Sequence, residues 1–391
     1  MIRSVFHVAR LVCVSMAFAS STSPAWAQHV IVGIDNKVFW DENGKPLFSA
    51  PGKDAVLILD IKDRMNPRIV ASLPLMNSVF GPPVNLAITP NESLALVANS
   101  MDWVQEGDAW KGAPSTDVFV VDLKSNPPAQ IATVKVGKQP SGMAINRAGN
   151  LALVTNRADS SVAVLSIQGK EVKLIDTVSI GEQVSAVAFT PDGKRALVAK
   201  NVNNKAAVLQ VEGDKVTYAK YDMLVGLFPY NLGIAPNGKL ALTANNGASG
   251  SADGNVDTVS VIDLEAMPPR VIDQVVVGDG PEGFAISPTG RIAVAILLRG
   301  SNASKSAFFY HRNGSVAVLK IDGKKVRKIA DIEVGGLPEG AVFSPDGKYL
   351  YVGNYMDDDI SILKVDGDKV ANTGKRFKLP GHPASMRSVV P

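Results

Sequence analysis

Two glutamates stand out as residues able to move a proton. Glu282 and Glu339 each follow a proline, in Pro281-Glu282-Gly283 and Pro338-Glu339-Gly340, and each opens the same segment of a repeated unit. Two carboxyls brought to one place share a proton or hold a cation, because like charges at short range cannot both ionise freely. A structural turn is the other use of such a Pro-Glu-Gly run. A second group lies further along: Arg299, His311 and Arg312, with Phe308, Phe309 and Tyr310 running directly into the histidine. An imidazole or carboxylate could activate water there, and an arginine could steady a developing oxyanion. Trp103, Trp110, Tyr230, Phe309, Tyr310 and Tyr355 are the candidate ligand-contacting aromatics, since a large ring with one polar edge either recognises a ligand or packs its own loop.

Asp253-Gly254-Asn255-Val256-Asp257 alternates oxygen-bearing side chains like the start of a calcium loop, but the later acidic ligand is missing from its required spacing, which favours a hairpin loop. Calcium at Asp253, Asn255 and Asp257 is the one metal expectation, and no other cofactor is expected. Beyond residue 27 the histidines are His29, His311 and His382, with no ligand-spaced pair. Cys13 is the sole cysteine, so thiolate chemistry and haem attachment are excluded once the leader is removed. No Gly-x-Ser-x-Gly elbow is present.

The elements that must position these residues announce themselves by repetition. Ser344-Pro345-Asp346-Gly347 leads into Tyr351-Val352-Gly353-Asn354, and the pattern returns at Thr89, Asn146, Thr190, Ala235 and Ser287, at separations of about 44 to 57 residues. That period suits blades of four strands. Each unit has four short runs rich in Val, Ile and Leu, bounded by Gly, Pro, Asn and Asp, which read as strands. The first run favours Gly and Ala, as the crowded innermost strand of a ring requires. Six complete units start near Val84, Ser141, Ser185, Tyr230, Glu282 and Glu339. The segment His382 to Val390 supplies one more opening strand, and Val30–Ile34, Ala55–Asp60 and Arg68–Leu73 supply the three that follow it. The expected fold is therefore an all-β, seven-bladed β-propeller, rather than one of six or eight blades. A C-terminal strand joining three N-terminal ones closes the ring and covers the sheet edges, which also predicts a monomer.

With Leu153-Val154-Thr155-Asn156, Leu96-Val97-Ala98-Asn99, Leu242-Thr243-Ala244-Asn245 and Tyr351-Val352-Gly353-Asn354, the chain resembles the bacterial YVTN-repeat propellers of the lactonase-type superfamily. The resemblance implies the fold over most of the chain. Such propellers include partner-binding proteins and relatives of lactone hydrolases, and no lactonase motif maps residue by residue.

Residues 1–27 carry Arg3 and Arg10, an apolar stretch from Leu11 to Ala19, and the small-x-small site Ala25-Trp26-Ala27, so they read as a secretory leader and 28–391 as one domain. The protein is expected in the periplasm or outside the cell. Beyond the leader, 38 Lys and Arg face 37 Asp and Glu, a balance with no pull toward nucleic acid or anionic membrane. No membrane insertion is expected. The inserts at Asn36–Lys53, Met101–Thr116, Gly247–Asp257 and Arg299–Gly314 all fall on the face opposite the regular Pro-x-Gly turns, and that looped face is where a ligand site is expected. The leading expectation is a propeller that binds a small molecule or a periplasmic protein there; the alternative is a hydrolase acting on a sugar or hydroxy-acid lactone.

Overall fold

The computed structural model describes residues 29–248 and 250–389; the leader expected at 1–27 lies outside them. Among these residues are seven four-stranded antiparallel sheets, one per blade, and one small hairpin. The only helical segment described is a single 3-10 turn at Tyr355–Asp357, and no described helix is long and apolar enough to cross a membrane.

The ring closes as the strand count requires. Pro383–Ser388 is the innermost strand of the blade that continues through His29–Ile34, Ala55–Asp60 and Arg68–Leu73. Val32 faces Met386 and Ile31 faces Arg387 across the junction. Chain ends separated by the whole sequence thus share one sheet, and neither leaves an unpaired edge at the centre.

Second strands such as Leu151–Asn156 and Leu240–Asn245 are buried at every residue, because each blade is covered on both faces by its neighbours. The resulting core is a circle of apolar clusters between successive blades; Leu94, Leu96, Val154 and Leu165 fill one of them, Leu242, Val261, Phe284 and Leu319 another. Outer strands such as Glu171–Ser179 are exposed at most positions instead.

Around the axis the blades converge until backbone meets backbone. Gly142 donates its amide to Ser185 O at 3.1 Å and Met143 donates to Val84 O at 3.0 Å, bonds that run between blades. A Cβ on Gly142 would lie 2.7 Å from the Ala186 Cα, and one on Gly283 would overlap the Glu339 carbonyl oxygen. The small residues of the first run are therefore a condition of ring closure. Gly283→Ala is expected to destabilise the protein by about 1–3 kcal/mol through overpacking of backbone that cannot yield. Urea unfolding of the two proteins side by side measures it; an unchanged midpoint would show the blades free to spread.

Candidate functional site

The cavity over the axial mouth of the looped face is built from the first residues of the innermost strands. Pro140, Pro229, Pro281 and Pro338 begin four of these strands, and the residues before them, Gln139, Phe228, Gly280 and Leu337, are all left-handed, with φ of 58°, 51°, 66° and 45°. Three of the four are not glycine, a strain that proteins retain chiefly where geometry matters. Directly after each proline the strand pairing slips by a bulge. A bulge turns a side chain out of the sheet plane. Tyr230, Glu282 and Glu339, the residues after three of these prolines, all line the cavity.

The two glutamates come from adjacent blades. Glu339 is 2% exposed, and its Oε2 has no hydrogen-bond partner. Burial, reinforced by the charge of Glu282, holds the Glu339 carboxyl well above the usual carboxylate range. Burial likewise pushes Glu282 up to about 8, against the opposing pull of the Arg157 guanidinium. Tyr230 is raised above its ordinary phenol value, again chiefly by burial, with Arg157 acting the other way. The Arg157 guanidinium carbon lies 5.4 Å from the centre of the Tyr230 ring, and Arg157 Nε is buried without a partner. An acid pair and a guanidinium thus face one space.

That space is about 550 Å³, a volume suited to a small organic ligand. Its other wall is aromatic and comes from three separate segments: Trp40 and Phe48 from the first insert, Phe80 from the link into the second blade, and Trp103 from a long hairpin. Phe48 lies 4.8 Å from Trp103 and 6.0 Å from Phe80, ring centre to ring centre. The hairpin is the Met101–Thr116 insert, which continues the strands Leu94–Glu106 and Ala109–Asp122 rather than forming a loop. Trp103 is 7% exposed and its Nε1 has no acceptor.

The first insert is anchored by a lysine with no exposure at all. Lys37 Nζ donates to Asp35 Oδ1 at 2.9 Å and Asn77 O at 2.7 Å and is paired with Asp54. Burial raises the Asp54 carboxyl above its ordinary value while Lys37 pulls it back.

The structure separates other residues that the sequence groups together. Arg299 and His311 line a second pocket of about 290 Å³ with Asp279, Phe308, Phe309 and Asp331, and it shares no lining residue with the axial cavity. His311 Nδ1 lies 3.0 Å from Phe309 O and 3.3 Å from Arg299 O, so the imidazole is used in folding its own insert. Arg312 turns away to pair with Asp357, which also pairs with Arg376. The placement of all these groups with the glutamates is corrected accordingly: Asn302 of the Arg299–Gly314 insert reaches the axial cavity, but Arg299, Phe308, Phe309 and His311 turn to the separate pocket. Tyr310 lines neither pocket.

Tyr355 is not a ligand contact either. It is 1% exposed, stacks on His382 at 4.9 Å, and donates its hydroxyl to Val38 O at 2.9 Å, with Asp35 O at 3.1 Å. Trp110 packs onto the same apolar cluster as Trp103 and Tyr355, outside the cavity lining. In the candidate calcium loop, Asp253 Oδ1 accepts the Asn255 amide and Asp257 Oδ2 accepts the Gly280 amide, both at 2.9 Å. Burial and the neighbouring Asp279 and Asp253 push Asp257 up to about 6. Among the described residues no group of three or more His, Cys, Asp or Glu side chains is arranged to hold a metal ion.

Arg157 escaped the sequence reading, although a signal for it existed. It follows Asn156 at the end of a second strand, the position held by Ser100, Asn201, Asn246 and Tyr355 in other blades. Aligned on the repeat, it is the one cation in that set.

No family model and no curated protein matches this sequence. Solved structures do match in fold. A periplasmic gluconolactonase of Pseudomonas aeruginosa superposes with a TM-score of 0.67 at 18% identity, covering 93% of this chain and 99% of its own. A Bacteroides uniformis protein assigned as a 6-phosphogluconolactonase gives 0.68 at 14%, over 93% and 99%. Hydrazine synthase of Kuenenia stuttgartiensis gives 0.61 at 20%, over 80% of this chain and 90% of its own. The chain shares the seven-bladed propeller of the gluconolactonase-like structures. At these identities the likeness extends to the fold alone, and the side chains of the cavity must be judged by their own geometry.

The buried acids make stability fall with pH. Below about pH 4.5 Glu282 is protonated in the folded and unfolded chain alike; as pH rises the unfolded chain ionises first, and stability drops until the folded group ionises near 8. Glu282→Gln should lose part of that fall, gaining on wild type at pH 8.5 far more than at pH 4. Urea unfolding at the two pH values tests this, and equal differences at both would contradict a raised Glu282.

Proposed function

We propose that this chain is an exported propeller that binds a small ring-shaped ester, a lactone of a sugar acid or hydroxy acid, in the axial cavity and opens it with water. The observation that carries the reading is the coincidence of three buried polar atoms without partners, Glu339 Oε2, Arg157 Nε and Trp103 Nε1, around one cavity. Buried polar atoms are almost always bonded, and an unpaired set converging on one space suits a ligand that completes it. The gluconolactonase-type structures that share the fold support the substrate class. The aromatic wall supports a ligand with one apolar face, and the residues of the leader support export.

The step is simple in atoms. Arg157 hydrogen-bonds the lactone carbonyl oxygen, where negative charge develops as water attacks. Glu282, the acid nearer the guanidinium's influence, is the base in its ionised form, which grows as pH rises toward 8. It takes the proton from that water as the water oxygen bonds to the carbonyl carbon. The ring C–O bond breaks, and Glu339, held protonated by burial, gives its proton to the departing alkoxide oxygen. The product is the open hydroxy acid. The pair still holds one proton, moved from Glu339 to Glu282, and its return resets the site. Each group used is a side chain of this protein.

Purified protein should open members of a panel of five- and six-membered aldonolactones, read by acid release. Glu282→Gln and Glu339→Gln are each expected to cut kcat/KM by about 10²-fold or more, and Arg157→Met by about 10²–10³-fold. His311→Ala, in the separate pocket, should stay within twofold. Absence of turnover on every lactone rejects the hydrolase and leaves the cavity as a binding site for a small ligand, the reading that thermal-shift screening of the same panel then addresses.

A further inference from the structure

The opposite mouth of the axis, on the face of the regular Pro-x-Gly turns, is not plain. It opens into a separate cavity of about 170 Å³ bounded by turn residues Pro90, Pro191, Pro236 and Pro288. The innermost strands end here, and their last residues form a ring: Ile88, Ile145, Phe189, Ile234, Ile286 and Phe343, with Ser388 in the seventh place. One step earlier the ring reads Ala87, Ala144, Ala188, Gly233, Ala285 and Val342, and then Arg387. Six blades thus present small or apolar groups at a position where the closing strand presents a guanidinium.

Nothing in the lining answers that charge. No Asp or Glu borders the cavity. Among the described residues Arg387 has neither ion pair nor side-chain hydrogen bond, whereas Arg147 at the rim donates to Pro236 O at 3.4 Å. Arg387 is half-buried, and its apolar surroundings lower it to about 10. An arginine retained in an apolar wall is costly unless an anion pairs with it.

We propose that this cavity is a second ligand site, for a small apolar monocarboxylic acid whose carboxylate pairs with Arg387 and whose hydrocarbon part fills the Ile and Phe ring. The size fits, since an apolar cavity of about 150 Å³ accepts benzene. A planar guanidinium fork matches a carboxylate with two parallel hydrogen bonds. The site is distinct from the looped-face cavity, with which it shares no lining residue, and it stands whether or not that cavity hydrolyses lactones.

Benzoate and its uncharged counterpart benzamide are suitable probes for the full chain, by isothermal titration. Benzoate should bind and benzamide should bind at least about 10-fold more weakly. Arg387→Met should weaken benzoate about 10- to 100-fold, the loss of a charge-assisted pair, with Arg387→Lys intermediate. Benzoate affinity should persist in Arg157→Met, in which the looped-face cavity has lost its cation. No binding of benzoate, equal binding of benzamide, binding undiminished in Arg387→Met, or binding abolished in Arg157→Met would each overturn the proposal. The comparison of the two probes on wild-type protein needs no variant to fold.

Discussion

Seven sheets can share one axis only if their innermost strands touch, and that contact governs the rest of this protein. At Gly142 and Gly283 there is no room for a single further carbon. Amides therefore bond across blades rather than only within them, and the Val, Ile and Leu of the second strands are pressed face to face into a circular core. No disulfide within the chain contributes, since Cys13 is the sole cysteine. A chain of this length buries enough apolar surface to do without one.

The same closeness creates an electrostatic conflict at the looped mouth. Glu282 and Glu339 would separate or ionise freely in a yielding structure; here the missing side chain at Gly283, the left-handed residues before the prolines and the bulges after them hold both acids in place. The pair responds by holding a proton on Glu339 and delaying the ionisation of Glu282 to about 8, instead of moving apart. A comparable compromise surrounds Lys37, whose burial with Asp35 and Asp54 adds little net stability but ties the first insert to one position. Trp40 and Phe48 reach the cavity wall because that insert is tied.

The two ends of the axis are chemically unlike although one repeat builds both. At the looped end the strands begin, with bulges that aim polar side chains inward; at the turn end they finish, in regular pairing that leaves Ile and Phe around the opening. Each blade contributes one residue to each level, so a single departure from the repeat suffices to place a charge. Arg387 at one end and the two glutamates at the other are such departures.

The recurring Pro-x-Gly turns and apolar strands were enough to determine the blade count, the closure by the last strand and the convergence of Glu282 with Glu339, because each follows from the backbone period and from registers repeated blade to blade. Tyr230 was legible at the same level of the ring as the glutamates for the same reason, whereas Trp103 was singled out only as a large aromatic in an insert. Arg157 was legible only by aligning the position after each second strand. The fate of the inserts was decided by tertiary structure alone. Tyr355 went into the core, His311 and Arg299 into a separate pocket, and the Met101–Thr116 segment into an extension of two strands. Inserts carry no period, and their course depends on which neighbouring loops they can pack against. A repeat specifies where the strands lie; only packing between distant segments decides which way the irregular parts turn.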